Sequence, residues 1–292
     1  MMRTLQFSNE EGCVGMGQEQ WLTYRGRDFA KLQYAYFEHS KGKQKTAFIM
    51  IHGITAELEH HKEMVEALQV NADLFLPILR GYDRLNKRGD LDYFAQYDDD
   101  LLDFIHYVEK LGYDRIVLAG HSMGCANILR LLKNNPEVVN RILFISPFFH
   151  PTLPVYRDDA TEQFKPETDV DYTVYSKKAG ILMTLYKLNI PHFSHKTVAE
   201  IPDEFDAQGV LSLSFRLLAS RFLEKLPPDL FEGYSDRIKT LVGADDEVVD
   251  AEALASWYKD SFDLEVEIIP DTDHNRILHD EEAHRSIARW LS

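Results

Sequence analysis

Short apolar segments alternate with amphipathic segments along most of this sequence, and this alternation is the feature that most restricts the possible folds. The apolar segments are rich in Ile, Val and Phe and have the length of strands that are buried on both faces. They are residues 47–53, 74–79, 115–120, 141–147, 238–244 and 266–270. The segments with helical spacing of apolar residues are 57–70, 91–111, 123–133, 251–258 and 281–291. The alternation predicts an α/β fold with a mostly parallel sheet flanked by helices.

Two segments depart from this alternation. Residues 29–37, FAKLQYAYF, precede the first buried strand and predict an antiparallel element at the sheet edge. Residues 148–228 show no buried-strand pattern, but they contain helical patterns such as AGILMTLYKLNI and LSLSFRLLASRFLEKL. An insertion of about 80 residues is too long for a plain crossover connection. We therefore expect an inserted helical cap at 148–228, over a core made of residues 1–147 and 229–292.

Composition and charge exclude several classes of function. The chain has 292 residues, 45% of them hydrophobic, and a formal net charge of −16, which disfavours binding to nucleic acid. No apolar run reaches the length of a membrane span, and residues 1–12 lack the apolar region of a signal peptide. The two cysteines, Cys13 and Cys125, form neither a disulfide framework nor a zinc motif. We expect a cytoplasmic protein without integral membrane association, and the sequence leaves the oligomeric state open.

The segment GHSMG, residues 120–124, joins a predicted strand to a predicted helix. It fits the pattern G-x-S-x-G, in which a sharp turn exposes a nucleophilic serine and the flanking glycines allow close backbone approach. The alternative is that Ser122 only caps the N-terminus of the helix. The position between strand and helix favours Ser122 as a nucleophile.

A serine nucleophile needs a base, and the base needs an acid that orients it. Asp245 and Asp246 follow the strand 238–244, and His274 follows the strand 266–270. The carboxyl ends of parallel strands meet at one sheet edge, so these groups are predicted to lie near Ser122. Each could instead have an ordinary role, the aspartates in a turn or cap and the histidine in a surface loop. The order serine, acid, histidine favours a catalytic triad.

Acyl transfer also needs two donors for the oxyanion of the tetrahedral intermediate. The first is predicted to be the Met123 N–H, next to the nucleophile. The second is predicted to be the Ile54 N–H, because His52 and Gly53 form a turn after an early strand. A plain glycine turn at the end of this strand is the alternative. We predict that His52, Gly53 and His121 contact the substrate.

The motifs IHGI, GHSMG, VGADDEVV and DTDHN, in this order, resemble the α/β-hydrolase superfamily. Residues 79–105 resemble esterases of the lysophospholipase and monoacylglycerol-lipase group, which also includes serine aminopeptidases. The family pattern G-x-x-D-x-x-V implies that Asp246, rather than Asp245, is the acid. The chain departs from the family at Tyr82 and Asp83, where members usually carry histidine and glycine after the Arg-Gly pair, and this difference leaves the substrate class open.

The resemblance and the predicted triad together imply a carboxylic ester hydrolase that forms an acyl-enzyme on Ser122 and acts on a small-molecule acyl ester without a cofactor. The apolar residues of the predicted cap have two interpretations, ordinary packing between helices, which is the more common role, or the lining of a pocket for a short or medium acyl chain. These residues are Ile181, Leu182, Met183, Leu185, Tyr186, Phe215, Leu217, Leu218 and Phe222.

Two other functions stay open from the sequence. One is an aminopeptidase in which the acidic segment DEFDA, residues 203–207, holds the substrate ammonium group. The other is a binding protein of hydrolase fold whose triad is inactive. The histidines in EHHKE and PHFSH lack the H-E-x-x-H spacing, and the acidic residues 98–100 fit the first turn of a helix, so no metal site is predicted.

Overall fold

The computed structural model describes residues 19–56, 58–157 and 172–292. The strands in these residues are β1 (Gln20–Arg25), β2 (Lys31–Phe37), β3 (Thr46–Ile51), β4 (Asp73–Pro77), β5 (Arg115–His121), β6 (Arg141–Ile145), β7 (Thr173–Val174), β8 (Thr197–Asp203), β9 (Asp206–Ser214), β10 (Ile238–Gly243) and β11 (Glu267–Ile269). The α-helices are α1 (Leu58–Ala67), α2 (Gln96–Lys110), α3 (Met123–Asn134), α4 (Ser176–Lys187), α5 (Phe215–Ala219), α6 (Ala251–Phe262) and α7 (Glu281–Leu291).

The central sheet has eight strands in the order β1-β2-β4-β3-β5-β6-β10-β11. The six strands from β4 to β11 in this order are parallel, whereas β1 and β2 pair with each other and β2 pairs with β4 in antiparallel fashion. The interior strands are buried along nearly their whole length, as expected where helices cover both faces. The predicted parallel α/β sheet is therefore confirmed. The antiparallel strand predicted at residues 29–37 is present as β2, but it pairs on both sides, and the edge strand is β1.

The register of the parallel strands brings their carboxyl ends level along one edge of the sheet. The loops that leave β3, β5, β6, β10 and β11 begin at this edge, in the order expected for a ligand site in an open α/β sheet. The strand-end residues that pair across the sheet are Ile51 with Gly120, His121 with Ile145, Ile145 with Leu241, and Gly243 with Ile269.

The inserted segment is not purely helical, which corrects the prediction for residues 148–228. It contains α4 and α5, but β7, β8 and β9 form a separate three-stranded antiparallel sheet. The strand signal in β9 is an alternation in which Leu211 and Leu213 are buried while Val210 and Ser212 are exposed. The helical interpretation merged this strand with α5, which starts at Phe215 immediately after it.

Polar contacts at Asp90 join this segment to the core. The Ser214 hydroxyl donates to Asp90 at 2.6 Å, and the Arg216 guanidinium and the Lys87 ammonium each donate to it at 2.6 Å. Burial alone would raise the pKa of Asp90, but the hydrogen bonds from Arg216, Lys87 and Ser214 lower it to about 2. This carboxylate therefore joins β9 and α5 to the loop after β4 through ionic hydrogen bonds.

The division into a core of 1–147 and 229–292 and a cap of 148–228 stays a prediction, and parts of both, including Cys13, lie outside the described residues. Among the helices in the described ranges, none combines the length and the apolar character needed to cross a membrane.

Candidate active site

Ser122 lies at a strained turn between β5 and α3. Its φ of 51° and ψ of −125° place a non-glycine residue at positive φ, where side chains are rare. The Ser122 N–H donates to the Ile145 carbonyl at 3.1 Å, which fixes the turn against β6. The Ser122 side chain makes no capping hydrogen bond to α3. The hydroxyl is therefore not used as a helix cap, which argues against the structural alternative for this serine.

The glycines on either side of Ser122 allow the turn to pack closely. A methyl group on Gly124 would overlap the Ile51 carbonyl and lie 3.0 Å from the His52 carbonyl oxygen. A methyl group on Gly120 would lie 2.8 Å from backbone atoms of Gly124 and Cys125. Both positions therefore require glycine for steric reasons, as the motif predicts.

Asp246 and His274 form a buried, hydrogen-bonded pair. The His274 ring nitrogen Nδ1 lies 2.9 Å from Asp246 Oδ2 and 3.0 Å from Oδ1. Asp246 Oδ1 also accepts the N–H groups of Val248 and Val249, each at 2.8 Å. Burial opposes ionisation of this carboxyl, but the His274 charge and these hydrogen bonds outweigh it and hold the pKa of Asp246 below its usual value.

The structure favours Asp246 over its neighbour as the partner of His274. Asp246 is fully buried, whereas Asp245 is exposed and uses its backbone N–H to bind the Thr272 carbonyl at 3.0 Å. The loop after β11 approaches so closely that a methyl group on Gly243 would overlap the Thr272 carbonyl. Close contact between the loops after β10 and β11 therefore positions His274 against Asp246.

His121 links the serine turn to the histidine loop. Its Nε2 lies 2.9 Å from the His274 carbonyl oxygen, and the two rings are 5.0 Å apart between centroids. The Glu247 carboxylate accepts the His274 N–H at 3.1 Å. His121 is 2% exposed, and burial, together with the neighbouring His274 and His61, holds its pKa well below the usual range. His121 therefore supports the His274 loop through Nε2, and its contact with substrate stays a prediction.

The predicted oxyanion residues lie on the loop after β3 and at the first residue of α3. A methyl group on Gly53 would lie 3.2 Å from the Ser122 Cβ, which places the loop after β3 directly beside the serine. In the described part of the chain, the N–H groups of Ile54 and Met123 have no hydrogen-bond acceptor in the protein. Two N–H groups near a serine at the start of a helix could hold a developing negative charge.

His52 is fully buried, and both of its ring nitrogens have partners. The Leu79 N–H donates to His52 Nε2 at 3.1 Å, so Nδ1 carries the proton and donates to the Gly53 carbonyl at 2.8 Å. Burial and the nearby Arg221 charge hold the pKa of His52 well below its usual range. The side chain therefore holds the loop in place, and the prediction that His52 binds substrate is corrected.

The acidic segments that the sequence singled out are paired with arginines. Among residues 98–100, the three carboxylates pair with Arg130, Arg27 and Arg80, respectively. In the segment 203–207, Asp203 accepts two hydrogen bonds from Arg88, which lowers the pKa of this carboxyl. The Asp203 carboxylate of that segment is therefore already neutralised by Arg88.

The histidine pairs and the apolar residues predicted to line a pocket differ in how far they are buried. His61 is fully buried, with its ring 5.6 Å from that of His121, whereas His60 contacts His279. No group of three or more His, Cys, Asp or Glu side chains within the described ranges could hold a metal ion. Leu182, Phe215, Leu217 and Leu218 are buried, but Ile181 is 63% exposed and cannot line an internal pocket.

Arg221 is a residue of the site region that the sequence did not reveal. It is fully buried and donates to the carbonyl oxygens of His52 and Gly53 at 3.3 and 3.1 Å. Its other partners are Asn127 and Tyr82, the residue at which the chain departs from the family motif. The only feature of the sequence that indicates a buried role for Arg221 is its position within the apolar run LLASRFL, and this signal is weak.

The comparisons with known proteins identify the fold family. Residues 46–280 match the family model described as alpha/beta hydrolase fold. The chain belongs to this family. Among curated proteins, it is 29% identical over 136 residues to "Putative esterase/lipase 3" of Mycoplasma pneumoniae, a match that covers 43% of this chain. The chain spans less than half of that relative, 45% of its length.

Solved structures of low sequence identity share the fold. One, titled "putative aryl esterase", is from Burkholderia cenocepacia, with a TM-score of 0.62 and 17% identity over 93% of this chain and 98% of that chain. Another is the carboxylesterase CesB of Bacillus subtilis, with a TM-score of 0.58 and 14% identity over 94% of this chain and 92% of that chain. At this identity, the similarity shows the hydrolase fold alone.

Proposed function

We propose that this protein is a serine hydrolase that cleaves carboxylic esters through an acyl-enzyme. Ser122 Oγ attacks the ester carbonyl carbon while its proton passes to His274 Nε2, and Asp246 stabilises the resulting imidazolium. The carbonyl oxygen takes the electron pair of the broken π bond and is held by the N–H groups of Ile54 and Met123. The C–O bond to the alcohol then breaks with return of the proton from His274, and water releases the acid by the same steps.

The observation that carries this proposal is the buried hydrogen bond between Asp246 and His274. The His274 carbonyl contacts His121, which is the residue before Ser122. A carboxylate on Nδ1 leaves Nε2 as the basic nitrogen of the ring. The Ser122 hydroxyl, on its strained turn, is not used to cap α3. An ordered acid and base beside an uncommitted hydroxyl support nucleophilic catalysis rather than a binding function.

The environment of Ser122 supports an ester with an apolar acyl group. The Phe148 N–H donates to the Ser122 carbonyl at 3.1 Å, so this aromatic residue lies next to the nucleophile. Phe148 stacks on Tyr156 and contacts Phe222, and both phenylalanine side chains are partly exposed. The similar proteins named as esterases favour a small ester substrate. Within this class, we propose short or medium acyl chains, with lysophospholipase-like or lipase-like substrates as the finer possibility.

The first test is labelling of the folded protein with a fluorophosphonate probe, read by peptide mass spectrometry. We expect a tag on Ser122 that is lost in both Ser122→Ala and His274→Ala. Absence of a tag on the folded protein would refute an activated serine and favour the binding-protein alternative.

The second test compares butyrate, octanoate and palmitate esters of one alcohol, with an aminoacyl-naphthylamide as the peptidase control. We expect kcat/KM to be highest for butyrate or octanoate and to be abolished by Ser122→Ala. Equal turnover of the three esters would contradict the apolar acyl site, and faster turnover of the naphthylamide would favour the aminopeptidase.

Three further parts of the proposal rest on the sequence. They are the location of the protein in the cytoplasm, the role of residues 148–228 as a cap over the site, and the use of a small-molecule ester rather than a macromolecular partner.

A further inference from the structure

Arg221 is a buried cation in the segment that follows α5, packed against the loop after β3. Its Nη1 donates to the His52 carbonyl at 3.3 Å and to Asn127 Oδ1 at 3.1 Å. Its Nη2 donates to the Gly53 carbonyl at 3.1 Å and to the Tyr82 hydroxyl at 2.8 Å. The guanidinium also lies over the rings of Tyr82 and Tyr97, at 5.2 and 5.7 Å from their centroids.

The charge of Arg221 is balanced by dipoles and aromatic faces rather than by an anion. Across the described ranges, no carboxylate lies within 4.0 Å of its guanidinium. The side chain is fully buried. A buried cation without a paired anion is costly, and its field acts over a longer distance because little solvent screens it. Arg221 therefore adds positive potential to the groups it touches, which are the carbonyls of the loop beside Ser122.

The Gly53 carbonyl belongs to the same peptide group as the Ile54 N–H. This carbonyl accepts two hydrogen bonds, one from Arg221 Nη2 at 3.1 Å and one from His52 Nδ1 at 2.8 Å. Two donors on one carbonyl oxygen fix the plane of the peptide group. They also withdraw electron density from it, so that its N–H becomes a stronger donor. A cationic donor has a larger effect than a neutral one.

We infer that Arg221 is a positioning residue for ester hydrolysis, which holds and polarises the Gly53–Ile54 peptide group so that the Ile54 N–H stabilises the oxyanion. This inference rests on the proposed function, because it needs a tetrahedral oxyanion formed on Ser122. Arg221 acts on the transition state through a backbone group, so its removal lowers kcat and leaves KM nearly unchanged.

The experiment compares Arg221→Gln with Arg216→Gln, a second arginine of the same segment, which donates to Asp90 and to the Asp92 carbonyl rather than to the loop after β3. Each variant is measured for kcat, KM and thermal stability. The same variants are titrated with a trifluoromethyl ketone that carries the preferred acyl group. Ser122 Oγ adds to the ketone carbonyl carbon, the oxygen takes the π electrons as an oxyanion, and the serine proton passes to His274.

For Arg221→Gln we expect kcat and the affinity for the ketone to fall by the same factor, about tenfold, with KM within twofold. Arg216→Gln is expected to lower stability without changing either quantity beyond twofold. An Arg221→Gln variant that keeps kcat and ketone affinity would overturn the inference, even if its stability is lower.

Arg221→Lys tests the inference if Arg221→Gln does not fold. Its ammonium keeps the charge but cannot reach all four acceptors, so we expect a loss of a few fold in both kcat and ketone affinity. Unchanged values in this variant would also overturn the inference. Failure of the proposed function is distinguishable, because the unmodified protein would then neither react with a fluorophosphonate nor hydrolyse an ester.

Discussion

Replacing Asp246 with asparagine changes the proton position on His274 without changing the shape of the site. Asp246 Oδ1 accepts two backbone N–H groups at 2.8 Å, so the amide oxygen of asparagine must occupy the Oδ1 position. The amide NH2 then takes the Oδ2 position, 2.9 Å from His274 Nδ1. Because an NH2 group donates, the ring must present an unprotonated Nδ1, and its proton moves to Nε2. A histidine protonated on Nε2 cannot accept the proton of Ser122.

The expected decrease in kcat follows from this loss of the base. In a serine triad, the same substitution of the acid lowers kcat by about 10⁴-fold, which corresponds to about 5 kcal/mol of transition-state stabilisation. KM is expected to change little, because Asp246 is fully buried and contacts no substrate. The free energy of unfolding should fall by only about 1–2 kcal/mol, because a hydrogen bond to His274 is kept while one charge is lost.

The pH dependence of stability gives an independent check. The pKa of Asp246 is below its usual value in the folded protein, so the native carboxyl binds fewer protons than the unfolded one. Its contribution to stability is present above the usual pKa of about 3.9 and is lost as pH falls through the lower native pKa. The difference in stability between the unmodified protein and Asp246→Asn should therefore shrink below about pH 4.

The assay is ester hydrolysis under saturating substrate, with Asp245→Asn as the matched control. Asp245 is the adjacent exposed aspartate, so its substitution should leave kcat within twofold. An Asp246→Asn variant that keeps kcat within tenfold of the unmodified protein would refute the assignment of the acid. An equal loss in Asp245→Asn would show that the effect is electrostatic and not specific to the His274 contact.

Three further substitutions, one of them a matched control, test the packing of the turn at Ser122 and the contacts of Asp90. Gly124→Ala should lower the free energy of unfolding by about 3 kcal/mol and slow fluorophosphonate labelling, because the added methyl overlaps the Ile51 carbonyl. Gly180→Ala is the matched control, because Gly180 lies in the exposed helix α4 and no atom lies within 4 Å of the added methyl. It should raise the free energy of unfolding by about 0.5–1 kcal/mol. Equal melting temperatures for the two glycine variants would contradict the steric argument. The Asp90 pKa of about 2 predicts a stability contribution present above about pH 4 and lost as pH falls through about 2. Asp90→Asn should remove this part of the acid dependence in thermal unfolding followed from pH 7 to pH 2, and parallel curves for the two proteins would argue against the ion pair with Arg216.

The parallel sheet was predictable because its signals are local. Buried strands such as β5 carry continuous apolar residues, and the helices between them repeat apolar residues at helical spacing. The cap was predicted less well. The alternation at Leu211 and Leu213 spans too few residues to stand out beside the helical pattern that follows it in α5. The helical pattern of apolar residues therefore predicted a helix over a segment whose first part pairs as the strand β9.

The candidate site was predictable where a motif encodes geometry. The spacing of Gly120, Ser122 and Gly124 requires a sharp turn. Chain order predicted His274 with either Asp245 or Asp246, and the resemblance to the family pattern favoured Asp246. The roles of His52 and His121 were not predictable, because burial and the partners of each ring nitrogen depend on neighbouring loops. A histidine at either motif position can equally bind substrate or support the backbone.

The sequence alone determined the order of the parallel strands and of the helices between them and the turn at Ser122, and it predicted the candidate acid and base, because each depends on residue type and short-range spacing. Only the tertiary structure decided the partners of Arg221 and Asp90. Arg221 and His52 are 169 positions apart, and Asp90 and Arg216 are 126 apart. Contacts over such separations depend on how the cap packs on the core. Burial then determines the energetic effect of these contacts, because a charge removed from water is stabilised only by the polar groups that the fold places next to it.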